Sequence, residues 1–139
     1  MDRNEIKNLL PHREPMLLVD EIYEDADGVA HGRYTVRGDE WFLQGHFPNN
    51  PVVPGVIQCE IMGQACAVLL GNLLEGKTAY YTGLDRVKFR QMVRPGDTIE
   101  VSASLTRSKH PFYFAHARAT VGGKLCCEGD LSFAITEGR

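Results

Sequence analysis

The sequence predicts an α+β domain in which a curved antiparallel sheet wraps one long apolar helix. Three observations carry that prediction. From Trp41 to Leu74, 34 consecutive residues hold one charged side chain, Glu60, where about eight are expected for a chain with 24% charged residues. Beyond residue 98 the apolar period switches to two, the period of a strand. Gly122-Gly123 then marks a two-residue hairpin turn.

The elements follow in order. Asp2-x-x-Glu5 reads as a capping box, and Ile6, Leu9 and Leu10 give a short amphipathic helix stopped before Pro11. Met16 to Tyr23 reads as an apolar strand, Ala26-Asp27-Gly28 as a turn, and Val29 to Arg37 as a second strand. Trp41 to Gly55 contains three prolines and two glycines and is expected to be a structured loop. Val56 to Leu74 is expected to be one continuous helix of about 28 Å. Ile99, Val101, Ala103 and Leu105, and then Tyr113, Ala115, Ala117, Ala119 and Val121, alternate with polar or exposed partners as two strands. Lys124 to Thr136 is a third. The alanine row suits a sheet lying close to the helix. A helix that is apolar nearly all round needs more cover than one sheet supplies, so a dimer is expected.

Composition narrows the function classes. The 139 residues fit one domain, 1–139. Hydrophobic residues make up 43% of the chain and include twelve aromatics, which excludes disorder. A net charge of −3 argues against nucleic-acid binding. The four cysteines show no CxxC and no disulfide-like spacing. Met1-Asp2-Arg3-Asn4-Glu5 lacks the apolar run of a signal peptide, so a cytoplasmic setting is expected. Val56 to Leu74 approaches membrane-spanning length, yet Gln58, Glu60, Gln64 and Asn72 punctuate it, so no transmembrane segment is expected.

The charge-poor stretch carries the candidate site. His46 sits on a loop stiffened by Pro48, Pro51 and Pro54. Gly55 falls at the start of the long helix, where free N–H groups and the helix dipole favour an oxyanion. Gln64 lies four residues beyond Glu60, on the same helix face, within reach of a hydrogen bond to it. A neutral imidazole, a carboxyl group and a carbonyl-polarising N–H suit acid–base chemistry α to a carbonyl. His46, Cys59 and Glu60 do not make up a metal ligand set with any further histidine nearby, and no metal is expected.

At these residues the chain resembles the (3R)-hydroxyacyl-[acyl-carrier-protein] dehydratases of type II fatty acid synthesis, the hydroxymyristoyl-type family with a hot-dog fold. The resemblance runs from Leu10-Pro11-His12-Arg13 and Pro15-Met16-Leu17-Leu18-Val19-Asp20 through Gly45-His46-Phe47-Pro48, Pro51-Val52 and Pro54-Gly55-Val56 to Lys88-Phe89-Arg90 and Pro95-Gly96-Asp97. It implies that His46 and Glu60 are catalytic, that the Gly55 N–H faces the thioester carbonyl, that Gln64 orients the acid, and that the Val52 carbonyl holds the histidine's other nitrogen. It also implies that the histidine and acid of one site come from different subunits of a homodimer, often assembled into a hexamer. The related dehydratase/isomerase carries Asp at the acid position, so Glu60 favours the plain dehydratase. Asn49-Asn50, Gln58-Cys59 and Ile61-Met62-Gly63 depart from the family's usual residues near the acyl tunnel or helix packing, which leaves chain length open. Elimination of water is redox-neutral, so no cofactor is expected.

The expected partner is an acyl carrier protein, which is acidic. Arg86, Lys88 and Arg90 alternate along one strand face, with Arg94 just beyond, and would suit its docking or simply form a solvated face. A hot-dog acyl thioesterase and a non-catalytic acyl-binding module stand as alternatives. A lipid A or polyketide role is not separable from fatty acid synthesis by these residues.

Overall fold

A computed structural model describes residues 1–137; positions 138 and 139 of the expected domain lie outside the described residues. Helix α1 spans Arg3–Leu9, and its capping box forms as predicted. The Glu5 N–H donates to Asp2 Oδ1 at 2.9 Å, and the Asp2 N–H donates to Glu5 Oε1 at 3.2 Å. Ile6 faces inward and is fully buried. The helix ends at Leu10, whose extended backbone suits the residue before Pro11.

Six strands form one antiparallel sheet: β1 (Glu21–Glu24), β2 (Ala30–Thr35), β3 (Lys77–Phe89), β4 (Thr98–Lys109), β5 (Phe112–Val121) and β6 (Lys124–Glu137). Their spatial order is β1-β2-β4-β5-β6-β3. The alternation read from sequence matches burial over Ile99, Val101 and Ala103 in β4 and over Tyr113, Ala115, Ala117 and Ala119 in β5, but fails at Leu105, which is exposed next to the register shift before Arg107. Gly122 and Gly123 have φ of +57° and +80°, the left-handed pair that a tight hairpin requires. The sheet closes on the helix so tightly that a Cβ at Gly32 would lie 2.6 Å from the Ala65 Cβ.

Two expectations are corrected. Met16 to Asp20 is not strand; β1 begins only at Glu21. Leu17, Leu18 and Val19 are consecutively buried, a pattern that a half-solvated strand cannot make. Their backbone is satisfied by side chains instead. The Leu18 N–H donates to Gln64 Oε1 at 2.8 Å, and the Arg3 guanidinium donates to the Leu17 and Val19 carbonyls.

The long apolar helix runs over Gly55–Leu74 as expected, but it is not continuous: it comprises α2 (Gly55–Ala65), α3 (Ala67–Leu70) and a 3₁₀ turn over Gly71–Leu74. At Cys66 the N–H is shared between the Met62 and Gly63 carbonyls, which tightens the turn. Gly71, at φ +49°, then ends α3. Gly55–Leu74 as a whole is long and apolar enough to cross a membrane, and 56% of its most apolar window is buried inside the fold.

Strand β3 carries no strand signal in its sequence beyond the charged face at residues 86–90. It lies at the sheet edge, pairs among the described residues only with β6, and leaves Tyr80, Leu84 and Phe89 exposed. Its burial does not alternate regularly, so no period-two signal appears.

Glu40 anchors the turn after β2. Its carboxylate, 5% exposed, accepts from the Tyr34 hydroxyl at 2.6 Å and from the Arg37 and Gly38 N–H groups. Burial pushes its pKa up, but these hydrogen bonds outweigh burial and hold it below the usual 4.5. A depressed folded pKa contributes stability above the ordinary value, and that stability is lost as pH falls through the folded value. Glu40→Gln is expected to cost about 1–3 kcal/mol at neutral pH, read from the urea midpoint. It is also expected to flatten the acid limb of the stability–pH curve; an unaltered limb would contradict the assignment.

Candidate active site

His46 follows a 3₁₀ turn, Trp41–Leu43, whose Leu43 carbonyl accepts the His46 N–H. The loop then doubles back on itself. The Val52 N–H donates to the His46 carbonyl at 3.0 Å, and the Phe47 and Asn50 backbones bond each other. Asn49 sits at φ +67°, in the left-handed region that Asn tolerates best after Gly. The departure at Asn49-Asn50 therefore leaves the turn intact. His46 Nδ1 lies 3.0 Å from the Val52 carbonyl. A carbonyl only accepts, so Nδ1 carries the proton and Nε2 presents its lone pair. Phe47 stacks on the imidazole at 4.2 Å.

Gly55 is the first residue of α2, after Pro54, and no side chain caps this helix. A Cβ here would lie 2.7 Å from the Phe89 ring, so the helix entrance accepts only glycine while Phe89 stays in place. His46, Val52, Gly55, Phe89, Arg90 and Met92 line a cavity of about 560 Å³. Gln58 lines it too, and its buried Oε1 has no hydrogen-bond partner.

Glu60 lines a different cavity, of about 350 Å³, together with His12, Gln64, Leu70, Tyr81 and Phe133. Gln64, 2% exposed, spends its whole carboxamide there. Its Nε2 donates to Glu60 Oε2 at 2.9 Å and to the Met16 carbonyl at 2.7 Å, and its Oε1 accepts from the Leu18 N–H. His12 Nε2 stands 3.3 Å from Glu60 Oε2. Sequence reasoning did not assign His12 to the site. Its position beside Pro11 within the Leu10-Pro11-His12-Arg13 motif was the available signal, but no spacing links it to Glu60.

The structure thus brings Gln64 to Glu60, and Val52 and Gly55 to His46. It does not bring His46 and Glu60 into one cavity of the same chain.

The expected row of basic residues does not form. A bulge between Asp85 and Lys88 places Arg86 at φ +50°, where its guanidinium pairs with Asp130. Lys88 lies opposite Glu128. Arg90 lines the His46 cavity, and Arg94 approaches Asn50 on the His46 loop at 3.5 Å.

Residues 10–130 match the family model described as the FabA-like domain. The 3-hydroxyacyl-[acyl-carrier-protein] dehydratase FabZ of Oenococcus oeni is 46% identical, over 97% of this chain and 99% of the relative. The protein of that name from Natranaerobius thermophilus is 45% identical over 98% of each chain. Among solved structures, the dehydratase heterocomplex ApeI:P from Xenorhabdus doucetiae superposes with a TM-score of 0.80 at 20% identity, covering 95% of this chain and 91% of that one. The fluoroacetyl-CoA-specific thioesterase FlK superposes at 0.67 with 19% identity, covering 78% of this chain and 92% of that one. These structural likenesses establish the hot-dog fold.

Gln64→Leu is expected to strip the Leu18 N–H and the Met16 carbonyl of their partners. The cost is about 2–6 kcal/mol of stability, since each of the two groups left unpaired costs about 1–3 kcal/mol. Chemical denaturation measures it, and a variant as stable as the parent would contradict the clamp.

Proposed function

The chain belongs to the FabA-like family, and from that premise we propose how its residues carry the family's reaction. It is a 3-hydroxyacyl-[acyl-carrier-protein] dehydratase of fatty acid biosynthesis, a hydro-lyase. The substrate is a (3R)-hydroxyacyl thioester and the product a trans-2-enoyl thioester. His46 Nε2 takes a proton from the carbon next to the thioester carbonyl. The Gly55 N–H, at the positive end of α2, donates to the carbonyl oxygen as charge builds there. Glu60, in its acid form, gives its proton to the departing 3-hydroxyl, which leaves as water as the double bond forms. A proton returned from His46 to Glu60 resets the pair, so the cycle loses only water and needs no oxidant or reductant.

The observation that carries this reading is how the two groups are held. The Val52 carbonyl frees Nε2 to act as a base. Gln64 engages one oxygen of Glu60 and leaves the other for substrate. His12 acts beside Gln64 as a second positioning residue.

Because His46 and Glu60 line separate cavities, each site pairs the histidine of one subunit with Glu60 of the partner subunit. A homodimer is therefore the minimal active unit, with a hexamer built as a trimer of dimers. The open edge of β3 and the exposed Phe47, Val56 and Met92 around the His46 cavity are surfaces that such a dimer covers. Acyl carrier protein is the partner, and the enzyme works in the cytoplasm. Arg90 and Arg94, at the His46 cavity, are the docking cations; Arg86 is neutralised by Asp130, and Lys88 faces Glu128 across the ladder.

Incubation with a 3-hydroxyacyl thioester tests the reaction. Enoyl absorbance should rise without free thiol; free thiol alone would instead mark a thioesterase. His46→Ala and Glu60→Ala should each lower the rate by about 10²–10⁴-fold. Mixing the two dead variants through dissociation and reassociation should restore about a quarter of wild-type activity, because half the dimers are then hybrids with one intact site each. No recovery would refute the shared site. Arg90→Glu should weaken turnover of carrier-protein substrate by about tenfold while sparing a short pantetheine thioester. Equal loss on both would remove Arg90 from docking.

A further inference from the structure

The contact between Gly63 and Tyr81 sits in the wall of the Glu60 cavity. Tyr81 comes from β3, and its hydroxyl donates to the Cys59 carbonyl of α2, one residue before Glu60. The hydroxyl reaches that carbonyl by passing over Gly63. A Cβ at Gly63 would overlap the Tyr81 hydroxyl oxygen and lie 2.8 Å from Cζ, closer than real contacts allow. The back of the ring is also occupied, because Phe133 stacks on it at 4.9 Å and is itself buried. The ring is thus parked between the helix and Phe133. The empty space beside it is the cavity bounded by Ala67, Leu70 and Leu74.

We propose that the Gly63–Tyr81 contact sets the length of acyl chain the enzyme accepts, by keeping the tyrosine ring out of the cavity that receives the chain. The inference rests on reading this cavity as the acyl site. Its lining away from Glu60, His12 and Gln64 is mostly apolar, as a hydrocarbon chain requires. Any side chain at position 63 lifts the ring off the helix, and with Phe133 behind it the ring yields into the open volume. Each methylene buried there contributes about fourfold in binding, so a cavity shortened by two methylenes costs long chains about 15-fold. Chains too short to reach Tyr81 lose far less.

The test measures kcat/KM of the full-length protein for four-carbon and twelve-carbon 3-hydroxyacyl pantetheine thioesters. Calorimetric affinities for saturated thioesters of the same two lengths are measured in parallel. Gly63→Ala should lower the long-to-short ratio about tenfold in both readouts. Adding Tyr81→Phe should restore most of the ratio, because the tightest clash is with the hydroxyl. Tyr81→Leu, in an otherwise unaltered chain, should raise the ratio and tests the idea even if Gly63→Ala does not fold. A ratio that stays constant in Gly63→Ala or Tyr81→Leu would overturn the proposal, as would a ratio that rises in Gly63→Ala. The affinity series needs no turnover. A wild type that binds long chains but forms no enoyl product would sink the dehydratase reading and leave this inference standing on its own data.

Discussion

The Gln64 carboxamide is the interaction on which most of the molecule depends. A buried carboxamide has two N–H donors and an acceptor oxygen, and each is costly to leave unmade. Here both donors and the oxygen are used, on the Met16 carbonyl, Glu60 and the Leu18 N–H. One side chain therefore joins the N-terminal segment, the central helix and the Glu60 carboxyl. It also explains why three consecutive apolar residues, Leu17 to Val19, can be buried without strand pairing, since their backbone finds partners in Gln64 and Arg3. The segment that a strand would have carried to the sheet instead lies across the helix, next to the acid.

His46 is held differently, by backbone alone. His46 and Val52 bond each other twice, once through their backbones and once through Nδ1, across a loop stiffened by proline. That arrangement needs no charge, in keeping with a stretch in which Glu60 is the one Asp, Glu, Lys or Arg side chain. It fixes the tautomer as well as the position. Glu60, held by a buried carboxamide, and His46, held by a closed loop, are each fixed within the single chain, so neither side chain has to be ordered when a ligand binds.

Much of this was legible in the sequence where one physical signal dominated. The capping box of α1 forms from Asp2 and Glu5 as spaced. The alternation in β4 and β5 and the Gly122-Gly123 turn follow directly from period two and positive φ. Gln64 meets Glu60 because i and i+4 share a helix face. What was not legible depends on contacts distant in sequence. Strand β3 is a sheet edge with irregular burial, so its pattern carries no period. The alternating Arg86, Lys88 and Arg90 assumed an unbroken strand, and the bulge after Asp85 destroys that register. The break at Cys66 has no proline or glycine to announce it; it arises from a shared backbone hydrogen bond. His12 reaches Glu60 only because the N-terminal segment is clamped beside the helix.

The charge-poor stretch and its glycines have a common cause in how closely α2 is approached. Ala65 on α2 touches Gly32 of β2, Gly55 lies under the Phe89 ring, and Gly63 lies under Tyr81. At each point two elements meet where a Cβ on the glycine has no room, so the helix is gripped along its length by strands and an aromatic ring. Such contacts leave no space for a charged side chain or its hydration, and burying one unpaired would cost several kcal/mol. Glu60 is the exception because Gln64 and His12 reach its carboxyl and because it opens onto a cavity rather than onto packed atoms. Close approach thus accounts for the absence of charge on the faces of the helix that the sheet covers, and for the isolation of the one carboxyl that remains.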